Sequence, residues 1–279
     1  MKKFFSGILC LFLLSSYVNA QNQACADSSA FYTFQYNAKN YTIVKDGKNW
    51  ADALLCAYEL GGHLAIIDSQ EEQDAIWAEI QNANIINSNT IAPDGGNASY
   101  LWIGGNDLTE EGNWVWIDEN GSTTQFWQGI STGNSVDGLY NNWGDEPDDY
   151  LGQQDGLGLA LTDWPLGFAG EWNDLNVANL LYYIIEFEGD SASEDSVIAI
   201  ASHSLQLSTI YPNPSSSYFK ISGNDVKEVI ILNALGQQVY HKVASTKTIN
   251  INHLQDGIYF VKMITDDNNY LIRKLKVIK

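Results

Sequence analysis

Basic residues are scarce through most of this 279-residue chain. Positions 21–205 carry 3 Lys and no Arg against 29 Asp plus Glu, so their net charge is 3 − 29 = −26. Positions 206–279 carry 9 Lys plus Arg against 5 acids, which gives 9 − 5 = +4. Nucleic acids and anionic membranes are bound through Lys and Arg, so neither is an expected partner of the acidic part. The change of sign predicts two different units.

Long apolar runs and cysteines are also few. One apolar run, over residues 4–14, has two lysines before it and a small-residue cleavage site after it, which predicts a signal peptide over residues 1–20 and an exported protein. No later segment has the length of apolar residues that a membrane span requires. Beyond the signal peptide the chain has Cys25 and Cys56, and two interpretations are open: a disulfide bond, or two small buried thiols.

Short alternating runs predict strands in the acidic unit. Aromatic or β-branched residues alternate with polar ones over Phe31–Tyr36 and Tyr41–Val44, which predicts a strand pair, and Asp46-Gly47 is predicted to form the turn that follows. Three more strands are predicted over residues 101–104, 114–117 and 180–187.

Two helices are predicted between these strands. Apolar residues at helical spacing begin at Trp50, and Gly61-Gly62 is predicted to end that helix. Ser69 and Glu72 have the spacing of a capping box, which predicts the start of the second helix. The apolar stripes of both helices are predicted to face the core.

Carboxylates, side-chain amides and glycines are densest between Asn142 and Leu175, where tryptophans separate them. The run contains no His or Cys, which argues against zinc or copper, whereas carboxylate and amide oxygens are the ligands that Ca²⁺ prefers. Long loops without a regular pattern are uncommon in compact domains unless they are functional. The sequence therefore predicts a long loop organised by calcium, with oxygen donors from Glu146, Asp148, Asp149, Asp155, Asn173 and Asp174.

Six motifs then follow one another in a fixed order. They are Trp50-x-x-Ala53 with Gly61-Gly62-x-Leu64-Ala65, Trp102-Ile103-Gly104, Glu111-Gly112 with Trp114 and Trp116, Glu146-Pro147-Asp148, Trp172-Asn173-Asp174, and Glu186-Phe187. Through them, residues 31–188 resemble the C-type lectin-like domain. The expected fold is therefore an α+β C-type lectin-like domain, with two helices, mixed antiparallel strands and a long calcium loop.

The resemblance implies a calcium ion that itself contacts a sugar. Its protein ligands would be Glu146, Asp148, Gln154, Asn173 and Asp174, with two vicinal sugar hydroxyls completing the coordination sphere. Calcium suits this role because its coordination number is flexible. Pro147 is expected to follow a cis peptide bond, an option essentially restricted to proline.

A second, structural calcium ion is also implied. Its ligands would be Asp107, Glu111, Asp149 and Asp155. The alternative interpretation is that Asp107 and Glu111 belong to an ordinary acidic turn.

The sugar class is not set by the motif. Mannose-type members of the family have Glu-Pro-Asn and galactose-type members have Gln-Pro-Asp, whereas this chain has Glu-Pro-Asp. Gln154 and Asn173 can donate hydrogen bonds to hydroxyls, while the carboxylates can only accept them. Tyr150 stands where galactose-type members carry an aromatic that stacks on the sugar, which favours galactose-like ligands; alternatively it is a surface tyrosine packed on the loop.

Two positions depart from the family pattern. The usual long-range disulfide would join the positions of Ala57 and Ile185, and neither is a cysteine here. Cys56 lies one residue away from the family position, so a bond to Cys25 would be particular to this chain. A second family cysteine is replaced by Gly156.

The end of the chain forms the basic unit. Residues 189–205 are small, polar and acidic, which predicts a linker, and residues 206–279 show short alternating strands typical of a small all-β sandwich. The segments PNP, NALGQQVY, LQDGIYFVKM and KLKVIK resemble the C-terminal sorting domain of type IX secretion substrates. That resemblance implies a bacterial protein that the type IX secretion machinery carries across the outer membrane, to be released or anchored at the cell surface. The alternative is a generic sandwich used for binding.

Together these patterns predict a secreted or cell-surface protein that binds glycan through calcium, for adhesion or polysaccharide capture. The alternative is a lectin-like module that binds protein or ice without sugar recognition. An enzyme is not predicted, because the acids cluster at metal-ligand spacing and the four histidines lie outside the site motifs.

Overall fold

The computed structural model describes residues 25–187, 209–222, 226–233, 236–243, 247–265 and 270–279. The predicted signal peptide (1–20) and linker (189–205) lie outside the described residues.

Within residues 25–187, the first unit contains two helices and eleven strands. Their bounds are β1 (Phe31–Tyr36), β2 (Lys39–Lys48), α1 (Trp50–Leu60), β3 (His63–Leu64), α2 (Gln70–Asn82), β4 (Ile91–Ala92), β5 (Ala98–Asn106), β6 (Asn113–Ile117), β7 (Thr123–Gln128), β8 (Asn134–Ser135), β9 (Gly156–Ala160), β10 (Trp172–Leu175) and β11 (Leu181–Phe187). The main sheet has the order β1-β2-β11-β5-β6-β7-β8. The β5–β11 pair is parallel, and β9 connects β10 to β5.

The predicted strand pair is present as β1 and β2, but the turn predicted to follow it is not. β2 continues through Asp46-Gly47 as far as Lys48, so the predicted turn at this dipeptide is wrong. The strand continues because β11 pairs beside it and Leu181 lies opposite Lys48. Within the strand pair the chain reverses at Asn37 and Ala38, whose φ values of 51° and 66° place both residues in the left-handed region that a tight hairpin turn requires.

Both predicted helices are present, and their ends are capped. The Asn49 side chain accepts the N–H of Asp52 at the start of α1, and Gly61 ends that helix at φ 95°. At the start of α2 the Ser69 hydroxyl accepts the N–H of Glu72 at 3.4 Å. The reciprocal half of the predicted capping box is replaced, because the Glu72 carboxylate accepts the N–H of Asp68 instead.

The predicted long loop is more regular than expected. β9 and β10 both lie inside the run from Asn142 to Leu175 and pair antiparallel, with Asn173 opposite Gly158 and Asp174 opposite Leu157. Two glycines in β9 leave room for neighbouring side chains, and a Cβ at Gly158 would lie 2.4 Å from Leu175. The irregular part therefore spans the segments before β9 and between β9 and β10.

The core of the first unit is aromatic. Trp50, Trp102, Trp114 and Trp172 are fully buried, and Trp172 lies edge-on to Trp116, Phe126, Tyr140 and Trp143 beneath the long loop. Cys25 and Cys56 form a disulfide, which selects the first of the two interpretations. The family disulfide is absent, since Ala57 and Ile185 are buried apolar residues of the core.

The second unit is a sandwich of two sheets. Its strands are β12 (Thr209–Tyr211), β13 (Tyr218–Ser222), β14 (Val226–Asn233), β15 (Gln238–Val243), β16 (Thr248–Asn250), β17 (Gly257–Thr265) and β18 (Tyr270–Val277). The orders are β12-β13-β16 and β15-β14-β17-β18. Residues including Val229, Ile231 and Val261 fill the core between the sheets.

The larger sheet of the second unit also packs on the first unit. Ile230, Leu232 and Phe260 are buried in one cluster with Leu54 of α1 and with Ile117. The buried Lys262 ammonium donates to the carbonyl of Glu119 at 2.7 Å. This contact explains why β14 is apolar on both faces, whereas one face of an antiparallel sheet is commonly polar.

No helix in the described part of the chain combines the length and the apolar character needed to cross a bilayer.

Candidate metal centre

A hairpin between β9 and β10 fixes Glu146. Trp164 and Gly167 exchange backbone hydrogen bonds, and the N–H of Asp145 donates to the carbonyl of Leu166 at 2.6 Å. The Trp164 indole then donates to Glu146 Oε1 at 3.1 Å. Glu146 is 3% exposed, and its second oxygen, Oε2, is buried without a hydrogen-bond partner. One carboxylate oxygen is therefore held by protein and the other is available to a ligand.

Asp174 is fully buried on β10 and holds the long loop. Its carboxylate accepts the N–H groups of Asp148, at 3.1 Å, and Asp149, at 2.7 Å. These bonds bring the loop that follows the cis Glu146-Pro147 bond, which was predicted, onto β10. Ligand oxygens of Glu146, Asp148 and Asp174 lie within 4.8 Å of one another.

The orientation of the Asn173 amide follows from its partners. The Tyr100 hydroxyl donates to the carbonyl of Gly95 at 2.8 Å, so it accepts from Asn173 Nδ2 at 2.9 Å. Asn173 Oδ1 must then point away from Tyr100, and it is buried without a partner. An unsatisfied buried oxygen is costly unless a ligand completes it.

Gln154 is buried beside this cluster. Its Oε1 accepts the N–H of Tyr150 at 2.6 Å, and its Nε2 donates to Asp94 Oδ2 at 3.1 Å. Tyr150 itself is 54% exposed, between Asp149 and Leu151, both of which have positive φ. Its side chain is therefore largely at the surface, which is compatible with the predicted stacking role and with the alternative of a surface tyrosine.

A second acidic cluster joins the β5–β6 turn to the start of β9. Ligand oxygens of Asp107, Glu111 and Asp155 lie within 4.8 Å of one another. The N–H of Gly112 donates to Asp107 Oδ2 at 2.8 Å, while the buried Oδ1 of Asp107 has no partner. Asp149, the remaining predicted ligand, is near enough for its charge to raise the pKa of Glu111 and Asp155, second to burial.

Burial makes these carboxylates hard to ionise. It raises the pKa of Asp107 to about 8, with a further increase from the charges of Glu111 and Asp155 and an opposing effect of the Gly112 N–H. Burial also raises the pKa values of Glu146 and Asp174, and each of the two is raised further by neighbouring acids. In the described ranges, no salt bridge reaches any acid of the two clusters.

The two clusters fit a hard divalent cation. Each combines carboxylates on two separate elements with a buried oxygen that lacks a partner, and no described Lys or Arg pairs with them. A cation would be coordinated by the unsatisfied oxygens and would lower the pKa values of the acids, so that they ionise.

Several residues that position the ligands were not predicted to do so. Asp94, Tyr100 and Trp164 each fix a candidate ligand through a contact of 18 or more residues in sequence separation. Local spacing carries no signal for such contacts, so only the folded structure reveals them.

The chain was compared with known proteins. Residues 46–184 match the model of the lectin C-type domain, and residues 209–279 match that of the secretion system C-terminal sorting domain. C-type lectin domain family 4 member M of Nomascus concolor is 27% identical over 127 residues, which are 46% of this chain and 27% of that protein. The chain spans less than half the length of the curated relatives it matches.

Two solved structures illustrate the range of similar folds. The mouse scavenger receptor C-type lectin carbohydrate-recognition domain is 24% identical, with a TM-score of 0.39 over 58% of this chain and 97% of that one. Herring type II antifreeze protein is 19% identical, with a TM-score of 0.38 over 59% of this chain and 100% of that one.

The two family models together cover most of the described residues, and each coincides with one of the two units of the fold. The chain is a C-type lectin-like domain protein, with an α+β lectin fold followed by an all-β C-terminal sorting domain.

Proposed function

We propose that this protein binds glycans through a calcium ion. The observation that carries the proposal is that ligand oxygens of Glu146, Asp148 and Asp174 lie within 4.8 Å of one another, while Glu146 Oε2 and Oδ1 of the adjacent Asn173 are buried without partners. Two elements supply this donor set: the segment before β9, which carries Glu146 and Asp148, and β10, which carries Asn173 and Asp174. The Trp164 hairpin holds Glu146 in place. Calcium would bring to this site open coordination positions for two sugar hydroxyls.

We call the cluster of Glu146, Asp148, Asn173 and Asp174 the primary site, and its residues would have different roles in binding. Glu146, Asp148, Asn173 and Asp174 would bind the ion, and Gln154 would add an amide oxygen beside them. The carboxylates would accept hydrogen bonds from sugar hydroxyls, and the amides would donate to them. Asn173 and Gln154 each use one of two amide N–H bonds within the protein, to Tyr100 and Asp94, which leaves one apiece for a hydroxyl.

We assign a second, structural calcium ion to Asp107, Glu111, Asp149 and Asp155. Its effect would be to join the β5–β6 turn to the start of β9. Because Asp149 belongs to the loop that Asp174 holds, this ion would also stabilise the primary site.

For the sugar class, a galactose-like ligand is favoured. The exposed ring of Tyr150 follows the Glu146-Pro147-Asp148 segment closely and offers an apolar face for stacking. The mixed motif differs from both family types, so a glycan panel is the means to decide the ligand.

Catalysis is not part of the proposal. Glycoside hydrolysis requires two carboxyl groups that flank the scissile bond. Ligand oxygens of Glu146 and Asp174 lie within 4.8 Å of each other, closer than the about 5–9.5 Å at which carboxyl pairs flank a scissile sugar bond. Their raised pKa values follow from burial among other acids rather than from an open cleft.

The sorting domain supports export through a secretion system. We propose that the protein is bacterial, that residues 1–20 are removed as a signal peptide, and that residues 21–188 form the lectin unit presented outside the cell. Residues 189–205 would link it to the sorting unit at 206–279, which the type IX machinery would recognise. The protein would then act in adhesion or polysaccharide capture at the cell surface.

A glycan array with and without chelator tests the function. The proposal predicts binding in calcium that is lost with chelator and with Asp174→Asn. The matched control Asp118→Asn changes an aspartate that holds the 118–122 turn, outside both clusters, and should leave binding intact. Binding to protein or ice that persists in chelator would instead favour the lectin-like module without sugar recognition.

A further inference from the structure

Asp94 lies between β4 and β5, outside every motif of the candidate metal centre. Its half-buried carboxylate accepts three hydrogen bonds from neutral groups. Gln154 Nε2 donates at 3.1 Å and the Asn176 N–H at 2.7 Å, both to Oδ2, and Asn179 Nδ2 donates to Oδ1 at 2.6 Å. One side chain therefore satisfies donors from two separate segments.

These two segments flank the primary site. Gln154 lies near the end of the segment before β9, which carries Glu146 and Asp148. Its own N–H donates to Asp149 Oδ1 at 3.2 Å. Asn176 and Asn179 lie in the turn directly after β10, the strand that carries Asn173 and Asp174. Asp94 thus joins, through its hydrogen bonds, the two segments that carry the candidate ligands.

Asp94 and the Tyr150 N–H together fix which way the Gln154 amide points. An ionised carboxylate only accepts hydrogen bonds, so the amide nitrogen must face Asp94. Oε1 then faces the long loop, where it accepts the N–H of Tyr150 and keeps a second lone pair. The two contacts agree, because a backbone N–H can only donate and therefore requires the amide oxygen on its side, just as Asp94 requires the nitrogen on the other.

We propose that Asp94, opposite the Tyr150 N–H, is a positioning residue that holds the Gln154 amide with its oxygen toward the loop segment of Tyr150, and that it excludes a carboxylate from position 154. The part that concerns cation affinity rests on the proposed function. A glutamate at 154 would place an anionic oxygen about 3.1 Å from Asp94 Oδ2, where the amide nitrogen now donates. Asp94 therefore helps to fix the orientation of the group at position 154 and disfavours a negative charge on it.

The first test measures calcium affinity by isothermal titration calorimetry on the full chain, with calcium chloride as the probe. Asp94→Ala removes both acceptor oxygens and with them three hydrogen bonds, and it should weaken calcium binding about 10-fold or more, the usual effect of losing a partner that orients a ligand. Asp94→Asn should retain most of the affinity, because its oxygen can still accept from Gln154 and Asn176. Asp118→Ala removes two backbone hydrogen bonds elsewhere and should leave the affinity unchanged.

The second test needs no metal. Melting temperatures in chelator are compared for wild type, Gln154→Glu, Asp94→Asn and the double variant. Gln154→Glu should lower the melting temperature more in the wild-type background than in the Asp94→Asn background, since the repulsion requires both carboxylates. Equal effects of Gln154→Glu in the two backgrounds would overturn the exclusion of a carboxylate.

The outcomes separate the inference from the proposed function. If wild type binds calcium and Asp94→Ala binds it equally well, the positioning role is wrong and the function stands. If wild type binds no calcium, the proposed function and the cation part of the inference both fail, while the melting-temperature comparison still decides whether Asp94 excludes a charge at 154.

Discussion

Removing calcium should make the stability of the lectin unit fall as pH rises from about 5 to 8. The structure gives the sign. Burial raises the pKa values of Asp107, Glu146 and Asp174 above their unfolded values, so the folded state holds protons that the unfolded state has already lost. Stability is then fully present below the unfolded pKa values near 4 and is lost as pH rises toward the folded ones.

Asp107 sets the scale of the effect. Its pKa rises from 3.8 to about 8, so between these values it contributes a slope of about −1.4 kcal/mol per pH unit to the free energy of unfolding. Glu146 and Asp174 add to this slope in the same direction. Total stabilities of domains are about 5–15 kcal/mol, so a fall of this size over two or three pH units is readily measured.

Urea unfolding followed by tryptophan fluorescence is the assay, because all nine tryptophans lie between Trp50 and Trp172 and report on the lectin unit. Saturating calcium should remove most of the pH dependence, since the ion keeps the acids charged. In chelator, Asp107→Asn should reduce the slope by about 1.4 kcal/mol per pH unit, because its amide oxygen still accepts the Gly112 N–H but no longer titrates. A stability in chelator that is flat or rises between pH 5 and 8 would refute the reasoning.

Three further predictions concern single contacts. Lys39 forms salt bridges with two buried glutamates, so Lys39→Met should lower the free energy of unfolding by about 2 kcal/mol in urea titration. Adding Glu186→Gln should recover part of the loss, and no recovery would contradict the pairing. Trp164→Phe removes the indole donor to Glu146 and should weaken calcium binding about 10-fold in calorimetry, whereas unchanged affinity would show that the indole does not position the ligand. The third prediction concerns the packing of the two units on each other. After cleavage at a protease site inserted between the units, the two fragments should co-elute in size-exclusion chromatography, and Leu232→Asp should make them elute separately. Wild-type fragments that elute separately would disprove the packed interface.

Local signals in the sequence predict both helices and five of the eleven strands of the first unit, namely β1, β2, β5, β6 and β11. The Asn49 cap was not predicted, although local rules allow it because Asn is a preferred cap, and Gly61 ends α1 as its residue type suggests. The failure at Asp46-Gly47 has a tertiary cause. That dipeptide favours a turn, but pairing with β11 on one side keeps β2 extended, and tertiary pairing outweighs the local preference.

The ligand types of the site could also be predicted, because carboxylates and amides are recognisable by composition. What could not be predicted is their support. The Asp94–Gln154 contact spans 60 residues, the Tyr100–Asn173 contact 73, and no periodicity joins such positions. The strands β9 and β10 were missed for a related reason, since the glycines of β9 are explained only by the side chains they accommodate.

Equilibrium dialysis of the full chain against calcium decides whether the two acidic clusters are metal sites. We expect wild type to retain two calcium ions per chain, Asp174→Asn to lose the primary ion, and Asp107→Asn to bind the structural ion more weakly. Retention of no calcium by wild type at millimolar concentration would contradict both assignments, and the lectin fold would then serve a ligand that requires no metal.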